Sequence, residues 1–341
     1  MCPELEGRFA QLSDVAVDGL AMEMDAIGAL LQHNLPSLTA LRLTRNAIGD
    51  SGCARLAQAL LLQQPRAWPG LTHLELQDNR IQAEGCAHLA RALQQRACPA
   101  LTHLALGRND IGPEGCEALG QALLQQQQQA CPDLCVLDLD SNDIGDDGCE
   151  HLAQALQQRA GRGLTHLKLG GNGIGDEGCV ALAKALLQQQ QQASRSLRYL
   201  ELAENCMHDK GWLHLSQALQ QRACPGLVSL DLQGCTVGSE ACARLVRSLG
   251  DGCPDMECLQ LRSTEIDAMP DALGELRCLT ALDMSDNPIR RIPPALHGLI
   301  LQLEAFAVDA EAMEEPPGRV VDQGLDALKA HIRAGAPQEQ S

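Results

Sequence analysis

Three histidines recur in the same local setting, Thr-His-Leu, at His73, His103 and His166, and charged side chains follow two residues on at Glu75 and Lys168. Imidazoles beside a carboxylate are the raw material of a zinc site or of acid–base catalysis. If each Thr-His-Leu is a short strand, neighbours about 4.8 Å apart bring His73 and His103 into contact beside Glu75. His166 lies two strands further on, past Val136, so the three do not converge on one ion, and a polar face without metal is expected. The sixteen cysteines read the same way. Cys53, Cys86, Cys116, Cys149, Cys179 and Cys242 each follow Gly or Ala at a helix start, a column of small buried hydrophobes. Cys98, Cys131, Cys224 and Cys253 form a second column, each before Pro. No C-x-x-C occurs, although Cys131 and Cys135 are four apart. Catalytic signatures such as G-x-x-x-x-G-K-S/T, G-x-S-x-G and H-E-x-x-H are also missing, and no carboxylate pair is marked as enclosed. A non-catalytic chain without cofactor is expected.

Positioning these residues takes a repeated element. The stretch Leu164–Leu186, LTHLKLGGNGIGDEGCVALAKAL, has two halves of different period. Leu164, Leu167 and Leu169 are spaced as a short strand entering a turn. Leu182 and Leu186, with Ala181, Ala183 and Ala185 around them, make one apolar stripe of a helix. Asn172, Ile174 and Gly178-Cys179 form the bend. One strand and one helix of this size cannot bury their own apolar sides, so the unit requires stacking on copies of itself. The pattern L-x-x-L-x-L-x-x-N-x-I begins at Leu38, Leu71, Leu101, Leu134, Leu164 and Leu197, and continues more weakly at Leu227, Met256, Leu279 and Leu303. Asn46, Asn79, Asn109, Asn142, Asn172 and Asn205 share one position. Cys235 and Thr264 replace Asn in the next two copies, and Asn287 restores it. Starts at 38, 101, 164 and 227 are each 63 apart, which points to duplication of a repeat pair. Gln125–Gln129 and Gln188–Gln192 fall in the longer connections and read as helix continuations rather than disordered tracts.

The pattern resembles the leucine-rich repeat family over roughly residues 38–313. Its NxIGDxGCxxLAxAL form resembles the ribonuclease-inhibitor class, as in ribonuclease inhibitor and the sensor ends of NOD-like receptors. The resemblance implies an α/β fold, a right-handed leucine-rich repeat solenoid (horseshoe) with parallel strands on the concave face and helices on the convex face. It also implies that the Asn column is buried and bonded to backbone of its own and neighbouring turns. Residues 1–37 read as a degenerate capping repeat, with Leu12, Val15, Val17 and Leu20 near strand spacing and Ile27, Leu30 and Leu31 as a helix stripe. Residues 38–255 hold the ribonuclease-inhibitor-like repeats. Across 256–314 the starts lie 23 and 24 apart, and Pro270 and Pro293 limit the outer segment to a turn or short 3₁₀ piece. Residues 315–341 are expected to supply a capping helix, over 320–333, and a tail, similar to the closing helix of short-type repeat proteins such as the ROCO group.

Composition narrows the partner. Aromatics are about 1% of residues, so the core must be Leu, Ala and Cys. The formal net charge is −18, which argues against nucleic acid or an anionic membrane, since both require a basic face. The first residues lack the basic start and apolar core of a signal peptide, and no run approaches about 18 apolar residues. A reduced, cytoplasmic monomer is expected.

Partner contacts are expected on the concave strands, at the third and fifth positions of each motif, with the seventh, eighth and tenth near the rim. The candidates are His73, Glu75, His103, Asp138, Asp140, His166, Lys168, Tyr199, Glu201, Glu204 and Asp231, with Tyr199 as the first choice of anchor. Further acids stand at Asp78, Asp110, Asp143, Glu265, Asp283 and Asp286, and bases at Arg42, Arg45, Arg80, Arg108 and Arg262. This distribution is read either as a solvated face or as an electrostatic docking surface for a protein with a basic patch. Trp212 occupies the Cys column and is expected to pack. The leading expectation is an intracellular protein–protein interaction scaffold. The alternatives are a regulator resembling the GTPase-activating proteins for Ran, using Arg42, Arg45 or Arg80, and a sensor or inhibitor module resembling ribonuclease inhibitor or NOD-like receptor repeats.

Overall fold

Each Leu-x-Leu segment of the motif contributes a three-residue strand, and the described strands form one parallel sheet in chain order. The computed structural model describes residues 12–19, 37–62, 68–125, 133–158, 163–190 and 197–335. Its strands are β1 (Asp14–Ala16), β2 (Ala40–Arg42), β3 (His73–Glu75), β4 (His103–Ala105), β5 (Val136–Asp138), β6 (His166–Lys168), β7 (Tyr199–Glu201), β8 (Ser229–Asp231), β9 (Cys258–Gln260), β10 (Ala281–Asp283) and β11 (Ala305–Ala307). Register never slips: His73 pairs with His103, Val136 with His166, and Tyr199 with Ser229. The period of two sends the central residue of each strand inward and leaves its neighbours on the open face. Leu74, Leu137, Leu167, Leu200 and Leu230 are accordingly buried, flanked by half-buried side chains.

Opposite the strands run α1 (Gly49–Leu62), α2 (Ala83–Gln94), α3 (Gly112–Gln125), α4 (Gly145–Gln157), α5 (Asp176–Gln190), α6 (Asp209–Gln220) and α7 (Gly238–Gly252). Each buries one stripe; in α2 it is Cys86, Leu89, Ala90 and Leu93. The Cys column is fully enclosed, and Trp212 fills its place in α6, donating Nε1–H to Thr236 O at 2.9 Å. Gln125 and Gln188–Gln190 end helices as the sequence suggests; the remaining glutamines of both tracts lie outside the described residues.

Two sets of side-chain-to-backbone bonds join successive repeats, one buried and one nearer the surface. The Asn ladder satisfies backbone groups that leave the sheet at the bend. Asn142 Nδ2 donates to Leu106 O and Leu139 O, both at 3.0 Å, and Asn172 Oδ1 accepts from Asn142 N at 2.8 Å. The second set is a carboxylate staple. The first N–H groups of a helix have no partner within it, and here the preceding repeat supplies one. Asp50 Oδ1 accepts from Gln82 N and Gly85 N at 2.8 and 2.9 Å, and Asp146 Oδ1 from Gly175 N and Gly178 N at 2.7 and 2.8 Å. Asp176 repeats this at His208 N and Gly211 N, both at 2.8 Å. Glycine is needed at 85 and 178 because a Cβ would come within 2.4 and 2.7 Å of the stapling oxygen.

Past α7 the outer segments shrink to 3₁₀ turns at Asp271–Glu275 and Pro294–Leu296, the latter running into α8 (His297–Gln302). The closing helix is broken: α9 (Gly318–Val321) and α10 (Leu325–Gly335) are separated at Gly324, where φ is +91°. The expected single helix over 320–333 therefore starts later. In α10, Leu328 and Ile332 are buried, and Lys329 Nζ donates to Leu303 O at 2.6 Å. At the other end β1 pairs with β2 as the Leu12–Val17 pattern suggests. The helix stripe of Ile27, Leu30 and Leu31 lies outside the described residues.

Candidate functional site: the strand face

The unbroken register turns each motif position into a row across the face. In the third-position row His73 and His103 stack, with centroids 4.0 Å apart and planes 14° apart. Val136 interrupts, and His166 then stacks on Tyr199 at 4.1 Å and 11°. Each histidine follows a threonine whose hydroxyl donates to a carbonyl of the previous repeat: Thr72 to Thr39 O at 2.9 Å, Thr102 to Thr72 O at 3.0 Å and Thr165 to Cys135 O at 3.2 Å. A hydroxyl has one hydrogen. The same hydroxyl lies 2.8, 2.7 and 2.9 Å from the adjoining Nδ1, so with its hydrogen on the carbonyl it is placed to accept from an imidazole N–H. Each threonine thus holds its neighbouring ring in place through Nδ1. Burial lowers the pKa of His103 and His166, reinforced in His103 by the neighbouring His73 and in His166 by Lys168. Stacked rings hold their lone pairs side by side rather than convergent. Among the described residues no group of three or more His, Cys, Asp or Glu is arranged to hold a metal.

In the fifth-position row several charges cancel. Arg42 lies between Asp14 and Glu75, with Nε 2.9 Å from Glu75 Oε1, and Lys168 Nζ lies 2.8 Å from Glu201 Oε1. Asp138, Asp140 and Asp231 take part in no ion pair among the described residues. They rest on backbone N–H groups instead: Asp138 Oδ1 on Asp140 N at 3.1 Å, Asp140 Oδ1 on Gly170 N at 2.7 Å, and Asp231 Oδ1 on Gln233 N at 3.0 Å. Burial raises the pKa of Asp138 and Asp231. It pushes Asp140 up to about 6, with the charge of Asp138 adding to the effect. Glu204 stands exposed at the rim with φ of +54°, as do Asp78, Arg80, Arg108 and Asp143 at 53–56°.

The eleven candidate residues thus share one face but form separate groups: the His73–His103 stack with Glu75, the His166–Tyr199 stack beside Lys168–Glu201, and the half-buried aspartates. The sequence reading missed a hollow of about 360 Å³ whose lining brings Arg45 and Arg108 together with Gln77, Gly107, Asp138 and Asp140. Its signal was faint: Gly107, a single small residue that the turn after β4 presents between larger neighbours.

A family profile described as Leucine Rich repeat matches residues 34–57, 71–90, 97–120, 130–153, 164–183 and 193–213, and a second, Leucine Rich Repeat, matches 278–299. This is a leucine-rich repeat protein. No curated protein matches its sequence. A similar solved structure is that described as the crystal structure of the TLR13-ssRNA13 complex, with a TM-score of 0.50 and 17% identity. The match covers 88% of this chain and 36% of that one, so the repeat protein spans little more than a third of it, and the likeness concerns the fold alone. Among the described residues no helix is long and apolar enough to cross a membrane.

Proposed function

We propose that this leucine-rich repeat protein is a non-catalytic scaffold that docks a protein partner on its concave strand face, the partner presenting a basic patch. The observation that carries this reading is the set of half-buried aspartates, Asp138, Asp140 and Asp231, which make no direct ion pair among the described residues and feel Lys168 only at a distance. Desolvated carboxylates are costly when uncompensated, and a partner's cations would offset that cost. Tyr199, held flat against His166, supplies a rigid aromatic anchor beside them. The convex side offers less, since its cysteines and leucines are turned into the core. A net charge of −18 disfavours nucleic acid as the ligand, although the TLR13 structure is of a complex with ssRNA13. Arg42, a candidate for stimulating a GTPase, is already engaged by Asp14 and Glu75. Free, buried thiols suit a reducing, cytoplasmic setting and a monomer stable without disulfides.

A photo-crosslinking residue tests the face directly. Placed at Tyr199 it should trap a protein in cell extract; placed at Leu213, exposed on α6, it should trap none. The reverse pattern would move the docking surface to the helices.

A further inference from the structure

At the bend after each strand, the ladder residue reaches back to a carbonyl of the repeat before. Asn205 Nδ2 donates to Leu169 O at 2.9 Å, Cys235 Sγ to Leu202 O at 3.2 Å and Asn287 Nδ2 to Leu261 O at 2.7 Å. Thr264 breaks the series. Its hydroxyl has one hydrogen and a shorter reach than an amide, and it donates to Leu261 O at 2.6 Å, inside its own repeat. The Cys235 N–H, which an Asn side chain at 264 would receive, turns to Leu232 O at 3.1 Å instead. No side-chain rung therefore joins the repeat that begins at Leu227 to the one that begins at Met256.

The outer wall parts at the same place. The end of α7 belongs to the helix before it: Cys253 Sγ donates to Cys224 O at 3.3 Å, and Gly252 lies so close to Leu219 O that a Cβ has no room. The turn Asp271–Glu275 belongs to the repeat after it, where Gln302 Nε2 donates to Arg277 O and Leu279 O at 2.9 and 2.8 Å. Among the described residues no hydrogen bond or ion pair joins Leu245–Gly252 to that turn. The cavity of about 520 Å³ lies between them, lined by Gly250, Asp251, Cys253, Glu275 and Arg277. What does cross the junction lies toward the strands and the start of α7. Ser229 of β8 pairs with Cys258 of β9, and Ser239 Oγ accepts from Asp267 N at 3.0 Å.

We propose that this junction is a hinge: the helical arm through α7 and the short-repeat arm from Met256 rock about the β8–β9 pair, opening and closing the cavity. Strand pairing and the Ser239 contact form the pivot, and the end of α7 is the edge that opens. A packed wall resists such motion because interiors are dense and rearrange between discrete states. Here the wall has an open cavity and the bend lacks its rung, so neither side locks the angle. Rocking changes the curvature of the strand face, which lets one face match surfaces of different shape.

The test uses the whole chain with pairs of nitroxide labels carried on p-acetylphenylalanine, so the native cysteines stay untouched. One pair, at exposed Arg247 and Ala295, spans the junction; the other, at exposed Glu150 and Leu213, spans the same number of repeats within the helical arm. Double electron–electron resonance reads the distance distribution of each. The junction pair should give a distribution about twice as wide as the control, as expected of a joint with more than one arrangement. Thr264→Asn, which restores the rung, should narrow it to the control width. Gly250→Leu should do the same from the other side, since a Cβ there meets only Glu275, at 3.6 Å, and the rest of the side chain fills the cavity. A thermal melt checks that each variant is folded. Equal widths for the two pairs in the parent chain would overturn the hinge, as would a junction width that folded Thr264→Asn leaves unchanged. If Thr264→Asn does not fold, Gly250→Leu decides by the same criterion.

Discussion

The outer wall of residues 49–252 is built of α-helices and that of residues 256–303 chiefly of 3₁₀ turns, yet one parallel sheet passes through both without a change of register. What the regions share is the strand and the buried residue after it. Asn142 in the first and Asn287 in the second make the same bonds, Asn287 Nδ2 reaching Leu261 O at 2.7 Å and Met284 O at 3.0 Å. At the junction Cys235 Sγ and Thr264 Oγ1 bond carbonyls of the same kind, Leu202 O at 3.2 Å and Leu261 O at 2.6 Å. What differs is the packing behind. The helical region encloses a cysteine in each repeat and staples one helix to the next through Asp50, Asp146 or Asp176. The short region has prolines, a half-buried Cys258 and an exposed Cys278. Ser239 makes the last staple, accepting from Asp267 N at 3.0 Å and Ala268 N at 3.2 Å. Where the two walls meet, a cavity of about 520 Å³ opens beside Gly250, Cys253, Glu275 and Arg277. The sheet therefore depends on the Asn ladder, and the outer wall varies around it.

The sharpest way to break this contrast is alkaline pH. Burial pushes Cys53, Cys116, Cys179, Cys242 and Cys253 up to about 12 from the usual 9.0. A thiol whose folded pKa is raised stays protonated in the fold while the unfolded chain loses its proton. Stability is therefore intact below 9 and lost as pH rises from 9 toward 12, by about 1.4 kcal/mol per thiol for each unit. All five lie between residues 53 and 253, so limited proteolysis at pH 10 should cut the helical region before the short one. Simultaneous cutting would show that the cysteine column does not separate them. Thiol labelling at neutral pH should divide along the same lines, fast at exposed Cys278 and slow at Cys86, Cys149 and Cys179.

The ladder should matter equally on both sides of the junction. Asn142→Leu and Asn287→Leu each orphan buried backbone groups, about 1–3 kcal/mol per group, and denaturant melts should show comparable losses. Exposed Asp143→Ala, beside the first, should stay within about 0.5 kcal/mol. The staple is weaker: Asp146→Ala removes a helix cap worth about 1 kcal/mol, and the loss should be confined to helical repeats. Asp140→Asn on the strand face should act with the opposite sign. Because the folded pKa of Asp140 is raised to about 6 from 3.8, its charge opposes folding above pH 6. The variant should be slightly more stable there, with the difference vanishing as pH falls to 4.

The fold was legible because strand, bend and helix each carry their own period and the copies repeat in register; Trp212 could be assigned to the core from its column alone. Relations between repeats were harder to read. The Asp of the IGD signature looks like a solvated charge until the next repeat brings N–H groups to it. Contact between His73 and His103 followed from strand spacing, whereas the His166–Tyr199 stack and the threonine contacts to each Nδ1 needed side-chain geometry. Arg42, Lys168 and Glu201 read as separate surface charges, although ion pairing with neighbours engages them. The hollow owes its room to the side chain Gly107 lacks, and a sequence pattern registers only what is present.

The measurement that bears most directly on the docking face is the association rate of the protein trapped at Tyr199. It should be followed against salt for the parent chain, for Asp138→Lys with Asp231→Lys, and for the convex control Glu117→Lys on α3. A charge-steered concave face predicts an association rate that falls as salt rises past about 0.15 M, where screening reaches about 8 Å. The double reversal should slow it further, and the convex control should leave it unchanged. A rate indifferent to salt and to the double reversal, or one slowed by Glu117→Lys, would contradict it.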